Sequence, residues 1–201
     1  MLVGFTPFFW TPATFPCYTT SSSSLGVMVR TFKTLRTLLA ASISFAAITS
    51  CAAQTRNWTT RDYSADGFSI SLPSDPQINL QKDPSSNSQM RSYVIDLGQG
   101  AALMIGVMSF GSRPTKTPDA ILQDGKNGAL AQSKTHLVRE KKITLGAAPG
   151  LDFEAESDTL HLRAQVFLVG NTAYQLVESY PIGKPFDHAP EFFDSFRLIS
   201  K

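Results

Sequence analysis

Residues 151–180, LDFEAESDTLHLRAQVFLVGNTAYQLVESY, decide the fold. They divide into three segments that largely alternate apolar and polar residues, separated by the turn-forming pairs Asp158-Thr159 and Gly170-Asn171. Successive side chains on a strand point to opposite faces, so this pattern predicts three consecutive half-buried strands. Gly-Asn is typical of a two-residue hairpin turn, and we therefore expect the strands to run antiparallel.

These two turns set the strand registers and predict a structural charge row of Glu154, Arg163 and Glu178. The Asp158-Thr159 turn places Glu154 opposite Arg163, and the Gly170-Asn171 turn places Glu178 on the other side of the same arginine. A planar guanidinium can donate to carboxylates on both sides. If the row is solvated, each pair contributes at most about 1 kcal/mol.

The acidic residues Asp152, Glu154 and Glu156 also allow a chemical interpretation. Hard cations prefer carboxylate oxygens, and His161 could form a catalytic pair with Glu156, so the alternative is an envelope hydrolase or metal-dependent enzyme using these four residues. However, side chains two apart on one strand stand nearly 7 Å apart, about twice the strand rise per residue. We therefore expect cross-strand pairs, no metal site and no cofactor. Convergence of these side chains in a concave pocket would favour the enzyme.

The rest of the chain from residue 61 predicts further elements of an α+β domain. Asp66-Gly67 is a turn signal, and Thr117-Pro118-Asp119 is a typical helix start. The expected elements are a strand over 68–72, a hairpin of strands 91–97 and 101–110, a helix from 117 to about 133, a strand over 137–145, and a short helix over 187–195. The predicted core residues are Phe68, Ile70, Leu103, Ile105, Val107, Leu130, Phe153, Val166, Leu168, Phe193 and Phe196.

Four segments resemble the PsbP-like fold, and within it small bacterial lipoproteins of the DcrB type. They are Gly67–Pro73, Pro149–Phe153, Arg163–Tyr174 and Phe193–Arg197. The resemblance implies an antiparallel sheet of about six strands with helices on both faces, an α/β/α sandwich. It also implies an accessory or binding protein, because members of this family share no active site whose residues could be carried over.

Residues 28–50 predict an export signal. Arg30, Lys33 and Arg36 precede an uncharged, mostly apolar stretch of 13 residues, Thr37–Thr49. That stretch is too short to span a bilayer, which takes about 20 residues, and it is typical of a cleaved signal peptide.

The end of the signal, Ile48-Thr49-Ser50-Cys51, resembles a bacterial lipobox. The resemblance implies cleavage before Cys51 and lipidation of its thiol. Ordinary cleavage after Ala53 is the alternative, and both interpretations export the protein. We expect an anchored protein of the cell envelope, on the periplasmic face in a Gram-negative host.

The chain therefore divides into an upstream extension over 1–27, a signal peptide over 28–50, a tether over 51–61 and one globular domain over 62–201. The extension fits no signal-peptide plan and suggests either a start at Met28 or an unusual leader. Residues from 52 onward carry 15 Lys and Arg against 16 Asp and Glu, so no basic excess survives processing. We expect a membrane contact through the lipid, a possible envelope protein partner, and no nucleic-acid partner.

Overall fold

The computed structural model describes residues 57–184 and 189–199. These residues form ten strands and two helices. Their order is β1 Thr59–Tyr63, β2 Phe68–Leu72, β3 Gln77–Asp83, β4 Ser88–Gly98, β5 Ala101–Ser109, α1 Pro118–Ser133, β6 His136–Leu145, β7 Ala148–Glu156, β8 Leu160–Val169, β9 Thr172–Pro181, α2 Ala189–Phe193 and β10 Arg197–Leu198.

The strands form two antiparallel sheets. The larger sheet has seven strands in the order β3-β4-β5-β9-β8-β7-β6, and the smaller has three in the order β1-β2-β10. The predicted α/β/α sandwich of about six strands is therefore wrong. Strands β1, β3 and β10 were not among the expected elements, and the small sheet takes the place of a helical layer.

A first core lies between the two sheets. Phe68, Ile70 and Leu72 of β2 are fully buried against Ile105 and Leu176 of the large sheet. The short helix α2 and the residues after it complete this layer, since Phe192, Phe193 and Phe196 are buried in the same cluster. Strand alternation explains the arrangement, because every second residue of β2 faces the large sheet.

A second core lies on the opposite face of the large sheet, under α1. Ile121 and Leu122 of α1 pack with Phe153 of β7 and Val166 of β8. The helix begins after Thr117, whose Oγ1 accepts a hydrogen bond from the backbone N–H of Ala120 at 3.3 Å, as expected for an N-cap.

The predicted core is largely confirmed. Ten of its members are less than 9% exposed, and the exception is Leu130, which is partly buried at the side of α1. Ile121 and Leu122 near the start of α1 are buried, whereas Leu130 in its last turn is only partly covered.

Candidate functional site

The charge row lies on the face of the large sheet that also carries α2. Glu154 stands opposite Arg163 in the β7–β8 ladder, and Arg163 stands opposite Glu178 in the β8–β9 ladder. These registers confirm the pairings predicted from the Asp158-Thr159 and Gly170-Asn171 turns. Both turns have only two residues, so the sequence fixes which side chains meet across the strands.

Arg163 nevertheless has a different ionic partner from the two expected. Its Nη2 lies 3.4 Å from Oδ2 of Asp152, which also accepts a hydrogen bond of 2.9 Å from Nε2 of Gln165. The guanidinium carbon lies 4.6 Å from the ring centroid of Phe193, a cation–π contact from α2. Asp152 is only 1% exposed, so this diagonal pair is the buried ion pair of the cluster.

Glu154 pairs instead with a residue of β6, the strand at one end of the large sheet. Arg139 of β6 lies opposite Glu154 and its Nη2 is 2.6 Å from Oε1 of that carboxylate. Hydrogen bonding and charge from Arg139 lower the pKa of Glu154 below its ordinary value. The charge row therefore exists in register, while its central arginine is bound by Asp152 rather than by Glu154.

Glu178 is the most unusual member of the row. Its side chain lies in the interior of the sandwich, 1% exposed, and its Oε1 has no hydrogen-bond partner. Burial raises the pKa of Glu178 from 4.5 to about 7, although the nearby charge of Arg163 opposes the rise. Glu178 can therefore bind or release a proton near neutral pH, which its position in the sequence did not reveal.

The residues of the enzyme alternative do not assemble into one site. Glu156 lies opposite His161 as predicted, but the imidazole of His161 stacks on the ring of Tyr180 with centroids 4.8 Å apart. Asp152 is four residues from Glu156 along β7, about 13 Å at the usual strand rise. Within residues 57–184 and 189–199, no three His, Cys, Asp or Glu side chains form a group that could hold a metal ion.

A second polar cluster, around Asp66, joins the two sheets. Its carboxylate accepts a hydrogen bond from the Tyr93 hydroxyl and pairs with Nη1 of Arg91 at 2.8 Å, while its backbone carbonyl accepts 2.7 Å from the hydroxyl of Tyr174. The sequence assigned Asp66 only to a turn. No local pattern could have identified its partners, which lie 25 to 108 residues further along the chain.

An apolar cavity of about 20 Å³ lies on the other face, between α1 and the sheet. Its lining includes Met90, Met108, Phe110 and Ile121. This volume accommodates about one water molecule. The cavity is therefore a packing gap beside Gly106 and has no room for a substrate.

Several predicted features lie outside the described residues. These are the extension 1–27, the signal peptide 28–50, the lipidation residue Cys51 and the first part of the tether that follows it. No helix in the described part of the chain is long and apolar enough to cross a membrane.

Comparisons with known proteins give little guidance. No family model and no curated protein matches the sequence. One similar structure is PA94, a Pseudomonas aeruginosa protein of unknown function, with 17% identity, a TM-score of 0.34, and coverage of 67% of this chain and 90% of that one. A second similar structure is a protein from Bacteroides thetaiotaomicron, with 18% identity and a TM-score of 0.34. The match covers 67% of this chain and 46% of that one, so this chain spans about half the length of that protein.

Proposed function

We propose that this protein is an exported, lipid-anchored accessory domain of the cell envelope that acts by binding and not by turnover. The observation that carries the proposal is the sequence order of a basic segment, a short apolar run and Ile48-Thr49-Ser50-Cys51. Strand β1 begins at Thr59, eight residues after the cysteine, which is a tether of at most about 29 Å when extended. A lipid on Cys51 would hold the sandwich close to the membrane surface.

The charged face supports binding over catalysis. Glu154 is engaged by Arg139 and Asp152 by Arg163, and His161 stacks on Tyr180. The resemblance to DcrB-type lipoproteins supports the same role, since those are mostly accessory and binding proteins. An envelope protein is a possible partner, and nucleic acid is not expected, because the mature chain has no basic excess that would attract it.

Processing can be tested on the expressed chain. Mass spectrometry should find a mature amino terminus at an acylated Cys51, and Cys51→Ala should release the protein from the membrane fraction. Cys17→Ala is the matched control, because it removes the other cysteine and should leave anchoring unchanged. An unmodified terminus near Gln54 would refute lipidation and keep export.

The choice between binding and turnover needs a separate experiment. In a strain that lacks the protein, His161→Ala should restore the wild-type phenotype as fully as the unaltered gene, because His161 has no chemical role under this proposal. The enzyme alternative predicts failure of the same variant at normal protein abundance. Tyr180→Phe is a comparison variant for His161→Ala, because it removes the hydroxyl of Tyr180 and keeps the ring that stacks on His161.

A further inference from the structure

The two end strands of the large sheet differ in how they are protected against pairing. On β6, the run Arg139–Lys142 is charged throughout, and the ladder to β7 is irregular between Leu137 and Arg139. Charges and bulges are common means of keeping end strands from pairing. On β3, Gln77–Leu80 carries no charge and the ladder to β4 runs without interruption.

The same part of β3 exposes apolar side chains. Ile78 is 56% exposed and Leu80 is 47% exposed. Their partners on β4 are Tyr93 and Arg91, two residues apart, so both apolar side chains lie on the face of the sheet that carries β1 and β2. An uncharged run with exposed apolar residues on an end strand is a surface suited to the addition of another strand.

We infer that β3 is the contact surface between two copies of this chain, which join antiparallel into one continuous sheet. With Asn79 opposite Asn79 of the second copy, Ile78 stands opposite Leu80 of the second copy on the same face. Apolar side chains then face apolar side chains, and side-chain amides face side-chain amides, on both sides of the two-fold axis. The same surface of each copy thus forms both halves of the contact, as in an isologous interface.

The same operation on β6 would be unfavourable. Centred on Glu140, it would place Arg139 opposite Lys141 of the second copy, and like charges directly opposite one another destabilise a strand pair. This difference in charge selects β3 as the self-complementary end of the sheet. One strand pair is a small contact compared with the roughly 1,600 Å² of stable complexes, so the dimer should be reversible.

Cysteine substitution tests the register directly. In a Cys17→Ala, Cys51→Ala chain, Asn79→Cys places two thiols across the axis. Opposed Cα atoms are about 4.5–5.5 Å apart in antiparallel pairs, which is within disulfide range. The matched control is Val138→Cys on β6, where the native side chain is 50% exposed. We expect the Asn79→Cys dimer to form at least about tenfold faster than the control.

Sedimentation of the same Cys17→Ala, Cys51→Ala chain, which lacks the lipid-anchor residue, provides the second measurement. It should show a reversible dimer that Leu80→Lys weakens by about tenfold or more, while Val138→Lys has no effect. Monomers at every concentration, or equal effects of the two lysines, would overturn the inference. Cross-linking of Asn79→Cys to another protein in place of itself would overturn the second copy as occupant. None of these outcomes depends on lipidation, so the dimer and the proposed function can fail separately.

Discussion

The buried carboxyl group of Glu178 should make the stability of the protein depend on pH. Its pKa lies at about 7 in the folded protein against an ordinary value of 4.5, because burial disfavours the charged form. Where folding raises the pKa of an acid, the folded state holds the proton longer than the unfolded state. The stabilisation that comes from protonated Glu178 is therefore complete below about pH 4.5 and is lost as the pH rises through about 7.

The expected loss follows from the same two values. Each pH unit between them corresponds to about 1.4 kcal/mol, so ionisation should lower the free energy of unfolding by about 3 kcal/mol. No large discount for solvent applies, since Glu178 is 1% exposed. Urea unfolding at intervals from about pH 5 to pH 8.5 would measure the decline.

Two variants isolate the responsible carboxyl group. Glu178→Gln keeps the shape of the side chain and cannot ionise, so its stability should vary less with pH and exceed that of wild type at about pH 8. Glu154→Gln is the control, because the pKa of Glu154 is lowered by Arg139 and that group titrates below the window. A wild-type curve that stays level, or an equal slope in Glu178→Gln, would refute the reasoning.

Three other substitutions have expected effects on stability. Phe68→Ala empties a fully buried position of the first core and should cost about 3–5 kcal/mol in urea unfolding, with a loss near zero refuting the packing. Asp66→Ala leaves the Tyr93 hydroxyl and Arg91 without their acceptor, which should cost roughly 1–3 kcal/mol by the same measurement. Lys134→Gly should stabilise by up to about 1 kcal/mol, seen as a higher Tm, because Lys134 ends α1 with a positive φ of 55°.

The hairpins β7–β8 and β8–β9 could be predicted because each has a two-residue turn and an alternating pattern. With one face buried, slipping a strand by a single residue would expose its apolar set, so pattern and turn select the same register. The order of charges across the strands followed directly. The sequence could not show that Arg163 would bind Asp152 diagonally, since side-chain reach and the competing Arg139 decide that choice.

Three of the four strands at the ends of the sheets, β1, β3 and β10, were missed for an opposite reason. Nearly every residue of β3 is exposed, so burial imposes no alternation on its sequence, and its polar end at Lys82 and Asp83 resembles a loop. Part of β1 was likewise assigned to the tether. Strand β10 has only two residues, Arg197 and Leu198, and its existence depends on a partner about 130 residues earlier. Local patterns carry no information about such distant pairing.

The pairing of β10 with β2 gives the order of synthesis a role in folding. Leu198 lies opposite Phe68, and the backbone N–H of Ile199 donates to the carbonyl of Gly67 at 3.0 Å. The third strand of the small sheet is thus made last, although its first two strands are made before any other described element. A nascent chain still being elongated lacks the residues that close the first core. The first core can therefore close only after β10 has been made, about 130 residues after the strand β2 that it pairs with.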